Sequence, residues 1–582
     1  MVTSLVDADS LLAIDIGHAH TRAILFDAVE DRYRVVAIGV VPTRHQHDLL
    51  ESIRSAIGEI QTITQRPLLD MHGQIIVPAE ENQGVDQVVL TLSARAPLRV
   101  VIAGVLPQVS LQSARRLAET TYSKIVAQLH LNDRLHMEGR INAVVRARPD
   151  VVIMAGGLEK GAAQSILQIA EALGLAAYLL PTGQRPEVLF AGNSDLQTKI
   201  KELLESITPL HTVPNIRPSA DHEQLGPARE ALLEIFRAVR QRQMPALQEL
   251  LLPLKGRSAF YSTVYGFDRM IRFLSRIYDS SKGVLGVDVG AETTTIAAAW
   301  NGEGIVKVAP ELGLGHNLPH LLRRTSLQAI LRWLPIEVDE NTVANYLYNK
   351  AVYPDSVPLT VEELTIEQAA ARQVLRAAMG QLWRDFPQPL RRKFGALLPY
   401  FEPILASGSL LTQSANPAQA LLVLLDGIQP SGVTTFVLDE NHLLSSLGAS
   451  ADLNPILSVQ VLQSHHFTPL ATVITAAHRI SKSGVPILRL KVDVSNGEKG
   501  SVEIKTGQIK ALHLRPGQKA EVEVWPLHGA DAGFGPGRRG VVTVHGSTLG
   551  LVIDGRGRPV VLAADPDERR EQNNQWLRVL GG

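Results

Sequence analysis

Two segments of the chain carry the same arrangement of reactive residue types. LLAIDIGHAHTRAILFD at residues 11–27 and VLGVDVGAETTTIAAAW at residues 284–300 each run apolar strand, Asp-x-Gly, short polar stretch with threonine, apolar strand. A glycine two residues after an aspartate lets the backbone turn tightly and approach a ligand closely. The N–H groups and hydroxyls of such a turn can face phosphate oxygens. The aspartate can hold Mg2+, directly or through water. The candidates are Asp15, Gly17, Thr21 and Arg22 in the first segment, and Asp288, Gly290, Thr293 and Thr294 in the second. One such motif is also an ordinary β-hairpin. Two of them predict a chain of two related lobes with a nucleotide between them.

Other short motifs read less specifically. Ala406-Ser407-Gly408-Ser409 follows an apolar strand and precedes a helix. Small residues there would let a base or ribose lie against the backbone near a helix N-terminus. A plain strand–turn–helix reads nearly as well. Gly156-Gly157 and Gly192-Asn193 either line a cleft or make tight βα turns. His18 and His20 lie in the first polar stretch without an obvious third ligand, so no metal site is expected from them. GADAGFGPGRRG at residues 529–540 has phosphate-loop composition but no following helix, which favours a hairpin.

The surrounding pattern shows what would hold these residues. LLAIDI, RAILFD and RVVAIGVV predict an antiparallel meander, followed by an amphipathic helix in HDLLESIRSAIGEIQTI. Strands are predicted at residues 74–77, 87–93 and 99–105, and a helix over SLQSARRLAETTYSKIVAQL with Ser110 as its cap. Residues 150–204 read as successive strand, Gly-rich turn and helix units of a parallel α/β sheet. Residues 228–278 read as mainly helical, DSSKG as a linker, and residues 317–394 again as helical. From about Gly484 onward short alternating segments predict a separate β domain, with DGRG at residues 554–557 as a hairpin turn.

Bulk properties narrow the class. At 582 residues, one hydrophobic core is too few. A net charge of -1 gives no electrostatic reason to expect nucleic acid or an anionic membrane as partner. The absence of cysteine excludes disulfides, thiolate metal sites and cysteine nucleophiles. The N-terminus has no signal-peptide pattern, and apolar runs such as ALLVLL are too short to span a bilayer. A cytoplasmic protein is expected.

The paired motifs and the glycine turn resemble those of the actin-like ATPase superfamily. Within it the chain is similar to the MutL family associated with adenosylcobalamin-dependent glutamate mutase, which is distinct from the mismatch-repair protein of that name. LSARAPLRVVIAGV, VVIMAGGLEKG, PEVLFAGNSDLQ, GVDVGAETTT, LGLGHNL, LDGIQPSGVTTFVLD and LGLVIDGRGRP carry the resemblance, from near the start of the chain to near its end. It implies ATP with Mg2+ bound between two ribonuclease-H-like lobes, and a role assisting a cobalamin-dependent mutase. Asp15 and Gly17 would belong to the first phosphate loop, with Thr21 and Arg22 beside it. Asp288, Gly290, Thr293 and Thr294 would form the second, and Gly408 and Ser409 would match the adenosine motif. Asp15 and Asp288 would serve the metal and the chemistry.

The chain departs from the family pattern in both loops. His18, His20 and Arg22 stand where small residues and a lysine are usual, and arginine is not a simple substitute for lysine. The second loop usually reads Gly-Gly-Ala-Thr-Thr-Asp. Here it reads Gly290-Ala291-Glu292-Thr293-Thr294-Thr295, without the second glycine or the terminal aspartate. Glu292 is the one carboxylate within the loop that could stand in, from a different position.

The expected architecture is α/β: two ribonuclease-H-like (actin-like ATPase) lobes with helical insertions, plus a C-terminal all-β domain. The expected boundaries are 8–280, 281–455 and 456–582. The expected function is an ATP-binding accessory protein, reactivase- or chaperone-like, for a cobalamin-dependent mutase, with either slow Mg-dependent hydrolysis, for which Asp15, Asp288 and Glu292 are the catalytic candidates, or nucleotide binding without turnover. A scaffold that binds protein partners without chemistry is the alternative. A small-molecule kinase lacks a convincing catalytic carboxylate facing a substrate pocket. No cobalamin-binding signature is present, so the mutase itself is not expected.

Overall fold

Residue types alone explain the first sheet. LLAIDI is apolar on both faces except at Asp15, as a strand covered on both sides must be. The computed structural model describes residues 9–43, 49–161, 163–254, 256–414, 416–478, 482 and 484–581. Within them the chain packs as two compact units: Met1–Gly266 with Ser445–Ser458, and Phe267–Leu444 with Val459–Gly582.

In the first unit, β1 (Leu11–Ile16), β2 (His20–Val29) and β3 (Arg32–Pro42) form the expected meander, and β4 (Gln87–Leu92) lies parallel to β1. A second sheet is inserted after β4: β5 (Leu98–Ala103), β6 (Ser123–Leu129), β7 (Val151–Met154), β8 (Glu187–Phe190) and β9 (Leu210–Thr212). These five run parallel in the order β6-β5-β7-β8-β9, a doubly wound arrangement. β10 (Ser258–Ser262) then returns beside β4, completing the order β10-β4-β1-β2-β3. The helix Leu49–Thr64 covers one face and sets Ile53, Ala56, Ile57 and Ile60 against Leu12, Ile14 and Ile16. The two residues expected to open that helix, His47 and Asp48, lie outside the described residues, as do residues 1–8 of the N-terminus.

The second unit repeats the plan. β11 (Gly283–Val289), β12 (Thr294–Trp300) and β13 (Glu303–Ala309) form a meander; β14 (Phe401–Ser407) is parallel to β11, and β15 (Gly432–Asp439) is parallel to β14. Counted in chain order, both sheets read third, second, first, fourth, fifth, with the second strand antiparallel. That is the ribonuclease-H-like arrangement, present twice. The helices Val361–Asp385 and Pro417–Ile428 fill the core, where Ala369, Val374, Leu421 and Leu424 meet Leu285, Val287 and Val289. Beyond β15 the sheet continues through β16 (Phe467–Thr475), and the C-terminal segment is rich in strands but also carries the helix Pro566–Val579 and packs within this second unit. β17 (Pro486–Val494), β18 (Lys499–Lys505), β20 (Lys519–Pro526) and β21 (Gly540–His545) make an antiparallel sheet. β19 (Ile509–Leu512) and β22 (Leu551–Asp554) extend the eight-stranded sheet. The segment GADAGFGPGRRG joins antiparallel β20 and β21, as a hairpin connection should.

Five local expectations need correction. The helix starting at Ser110 ends at Ala118, and SKIVAQL is the strand β6. Thr120 Oγ1 and Ser123 Oγ donate to the carbonyls of Leu117 and Ala118, taking over the helix's last acceptors. Ser110 does not cap that helix; its Oγ accepts from the N–H groups of Val105 and Leu106. Residues 74–77 form only an isolated bridge at Ile75, with Gln74 N–H held by Asp70. After Asp554 no second hairpin strand follows, because Arg556 and Arg558 turn inward onto the Asp554 carboxylate. SAFYS, inside a stretch read as helical, is the strand β10. Among the described residues no helix is long and apolar enough to cross a membrane.

Candidate functional site

Asp15 is the penultimate residue of β1, and Asp288 is the penultimate residue of β11. Each ends a strand whose neighbours fix its surroundings by register. Asp15 lies abreast of Arg22 on β2 and Thr91 on β4. Asp288 lies abreast of Thr295 on β12 and Ser407 on β14. In the first unit Thr91 Oγ1 donates to Asp15 Oδ1 at 2.6 Å, and Thr263 Oγ1 donates to the same oxygen at 3.3 Å. In the second, Ser407 Oγ donates to Asp288 Oδ1 at 2.6 Å. A hydroxyl from the parallel neighbour thus holds each carboxylate at the carboxyl edge of its sheet.

The turns that follow have equal length. Gly17 N–H donates to His20 O at 3.0 Å, and Gly290 N–H donates to Thr293 O at 2.9 Å. By register Thr21 and Thr294 are equivalent, as are Arg22 and Thr295. Thr21 and Thr294 lie in the strands that leave the turns. Both are buried, because strand alternation turns them to the face opposite their neighbours. The Thr21 hydroxyl is bonded to that of Thr43 at 2.9 Å, and the Thr294 hydroxyl donates to Leu312 O at 2.7 Å. They brace the turns from inside. Thr293 is half-buried at the turn itself.

The two carboxylates differ in surroundings. The Asp15 side chain is 7% exposed, with Arg22 Nη1 at 3.8 Å from Oδ2. Burial pushes its carboxyl above the ordinary carboxylate range, against the opposing pull of Arg22, Thr91 and Thr263. The Asp288 side chain is 26% exposed, and His442 Nδ1 stands 3.8 Å from Oδ1. His442 sits in a left-handed conformation, φ 55°, in the turn after β15. Asp439 anchors that turn by accepting from the N–H groups of Leu443 and Leu444.

Glu292 projects toward the segment after β13. Its carboxylate is bonded to His316 Nδ1 and accepts from Asn317 Nδ2 at 2.9 Å. The same segment packs on the turn's backbone: Leu314 N–H donates to Gly290 O and Gly315 N–H to Ala291 O, at 3.0 and 2.8 Å. A methyl group at Gly313 would lie 2.4 Å from Ala291 O, so only glycine allows this approach. Gly408 has a similar role on the other side. With φ 118° it turns the chain out of β14, and a methyl there would lie 2.3 Å from Val289 O. Ser409, half-buried, opens the single helical turn Ser409–Thr412.

Asp288, Gly290, Thr293, Gly408 and the loop bearing Glu292 are therefore gathered around the end of β11. Asp15, Gly17 and Arg22 are gathered around the end of β1. Oxygen donors at Asp288 suit a hard cation such as Mg2+. Asp15 suits one less well, since an arginine already supplies positive charge beside it. Thr91 and His442 were missed from sequence, and Ser407 was read only as part of the glycine turn, not as the partner of Asp288. Thr91 and Ser407 had a signal: a hydroxyl inside an apolar strand, VVLTLS and PILASG, must find a partner once buried.

No curated protein matches the chain in sequence. Solved structures give distant likenesses. The nucleotide-free structure of acetone carboxylase matches with TM-score 0.30 and 10% identity, covering 86% of this chain and 81% of that one. The activator of 2-hydroxyisocaproyl-CoA dehydratase from Clostridium difficile, with bound ADPNP, matches with TM-score 0.29 and 10% identity, covering 78% and 97%. The nucleotide-free diol dehydratase-reactivating factor gives 0.29 and 9%, covering 76% and 99%. Likeness at this level carries no function. A family model described as MutL protein matches residues 11–466. The chain belongs to the MutL family.

Proposed function

We propose that this protein binds ATP with magnesium and serves as an accessory, reactivase-like partner of a cobalamin-dependent mutase. The observation that carries the reading is the repeated carboxylate–hydroxyl pair. Asp15–Thr91 and Asp288–Ser407 occupy the same register in two sheets of the same strand order, each followed by a glycine turn of the same length. Asp288 is the magnesium ligand in this reading. Gly290 and Thr293 take phosphate oxygens, Gly408 and Ser409 flank the adenosine, and Gly17 with Arg22 forms the second anion-binding turn. Bound magnesium would neutralise phosphate charge and polarise the terminal phosphoryl group. Hydrolysis is slow, since Thr295 stands where the family pattern has an aspartate and Glu292 is engaged by His316 and Asn317.

One observation favours the scaffold reading instead. Arg22 beside Asp15 supplies fixed positive charge where a metal would otherwise be drawn. Calorimetric titration with ATP and a non-hydrolysable analogue, with and without Mg2+, decides between the readings. Magnesium-dependent binding that is lost in Asp288→Ala supports the nucleotide site. Absence of heat from a folded protein hands the function to the scaffold.

A further inference from the structure

From the end of the helix Glu340–Val352 to the start of the helix Val361–Asp385 the chain displays apolar side chains to solvent. Tyr348, Val352, Tyr353, Val357, Leu359 and Val361 are all exposed, Leu359 to 90%, Val357 to 71% and Val361 to 70%. Six large apolar side chains within fourteen residues are more than scattered surface hydrophobics.

This segment is held in place. Lys350 reaches back to Ser356 O and pairs with Glu367 at 2.8 Å, and Tyr346 OH donates to the same carboxylate. Ser356 donates through its N–H and its hydroxyl to Tyr353 O. Leu359 N–H donates to Glu363, whose own N–H donates to Thr360 in a capping box. The apolar side chains are therefore displayed on an ordered backbone, which lowers the entropy cost of binding. The segment also touches the second turn. Gly315, bonded to Ala291, lies so close to Pro354 that a methyl there would be 2.7 Å from Pro354 Cβ.

Charge identifies the occupant. Residues 333–371 contain seven carboxylates and one cation, Lys350, which is buried and paired. Asp355 and Glu362 are exposed among the apolar side chains. An anionic membrane is repelled by such a rim, and a second copy meeting it two-fold would oppose like charges. We propose that residues 348–361 form a docking surface for a partner protein that presents an apolar strip edged by lysine or arginine. This deepens the accessory reading and rests on it.

The test places the photo-cross-linker p-benzoylphenylalanine at position 357 or 359 of the full chain, in the cells that make it. Positions 541 and 561, exposed valines elsewhere, serve as controls. The expected product appears at 357 and 359 only, and its cross-linked peptide is apolar with flanking basic residues. A synthetic peptide of that sequence should bind the purified protein, weaken as salt rises, and lose at least tenfold in affinity to Leu359→Glu and to Val357→Glu. Cross-links to lipid, to this chain itself, to an acidic segment, or none above the controls overturn the proposal. ATP titration of the Leu359→Glu protein should match wild type. Failure of the nucleotide reading, absence of ATP binding in wild type, is thus separate from failure of the surface.

Discussion

Ser407 Oγ donates to Asp288 Oδ1 at 2.6 Å from the adjacent parallel strand, where the two residues stand abreast. Thr91 has the same relation to Asp15. Hydrogen bonds to a charged group contribute about 1.5–3 kcal/mol, so Ser407→Ala and Thr91→Val should each lower unfolding free energy by roughly that amount. Urea denaturation measures it. Ser407→Ala should also weaken Mg-ATP binding at least tenfold, because the carboxylate loses its fixed orientation. Unaltered affinity would remove Ser407 from the site.

Asp15 predicts a pH effect. Its folded pKa is raised, chiefly by burial. The protonated carboxyl is therefore favoured by folding; that contribution is full below the unfolded pKa and is lost as pH rises through the folded value. Asp15→Asn should make the nucleotide-free protein more stable at neutral pH and flatten the fall in stability above the ordinary carboxylate range. It should also weaken ATP binding. Identical pH profiles for mutant and wild type would contradict this account.

Gly408 should not tolerate a side chain. Its φ of 118° and the 2.3 Å approach of any methyl to Val289 O both oppose alanine. Gly408→Ala is expected to cost about 2 kcal/mol or more and to abolish nucleotide binding. Gly380, inside the helix Val361–Asp385, meets nothing within 4 Å of an added methyl. Gly380→Ala should raise stability by about 0.5–1 kcal/mol with ATP affinity unchanged. Thermal melts with and without ATP compare the two.

Asp554 predicts an acid limb. Burial would raise its carboxyl, but Arg556 and Arg558 outweigh burial and hold it far below the ordinary range. Arg556 also bonds Asp426, which bonds Arg372, so the end of β22 is tied to the two core helices. A depressed folded pKa stabilises above the unfolded pKa, and that stability is lost as pH falls toward the folded value. Asp554→Ala leaves buried arginines uncompensated and should cost about 3–5 kcal/mol at neutral pH. The wild type should lose stability below about pH 4, whereas the mutant should lose this component of its acid dependence. Denaturant midpoints across that range measure both.

The duplicated plan was legible because each Asp-x-Gly sits between two apolar runs whose period is that of strands. β10 was not legible: SAFYS is five residues between helices, and only its pairing with β4 makes it a strand. The helix Ser110–Ala118 and β6 were read as one element, because the apolar positions of SKIVAQL fit either period over so short a span. Thr294 reads as part of the second loop and Thr21 as beside the first, because hydroxyls suit phosphates. Their register puts them inside, and no local pattern reveals which face of a strand is the core. His442 lies 154 positions from Asp288 in the chain, so only the tertiary fold could bring them together.

The sheet of the first unit ends at β10, a strand of five residues. The corresponding strand of the second, β15, has eight residues and is paired on its far side by β16, beyond which lie β22 and β19. An unpaired strand of that length is an open template for other chains. A protein shortened to end near residue 455 would expose it, and would strip Asp426 of Arg556 as well. The C-terminal strands thus act as a seal against edge-to-edge aggregation, and their removal should first be felt as insolubility.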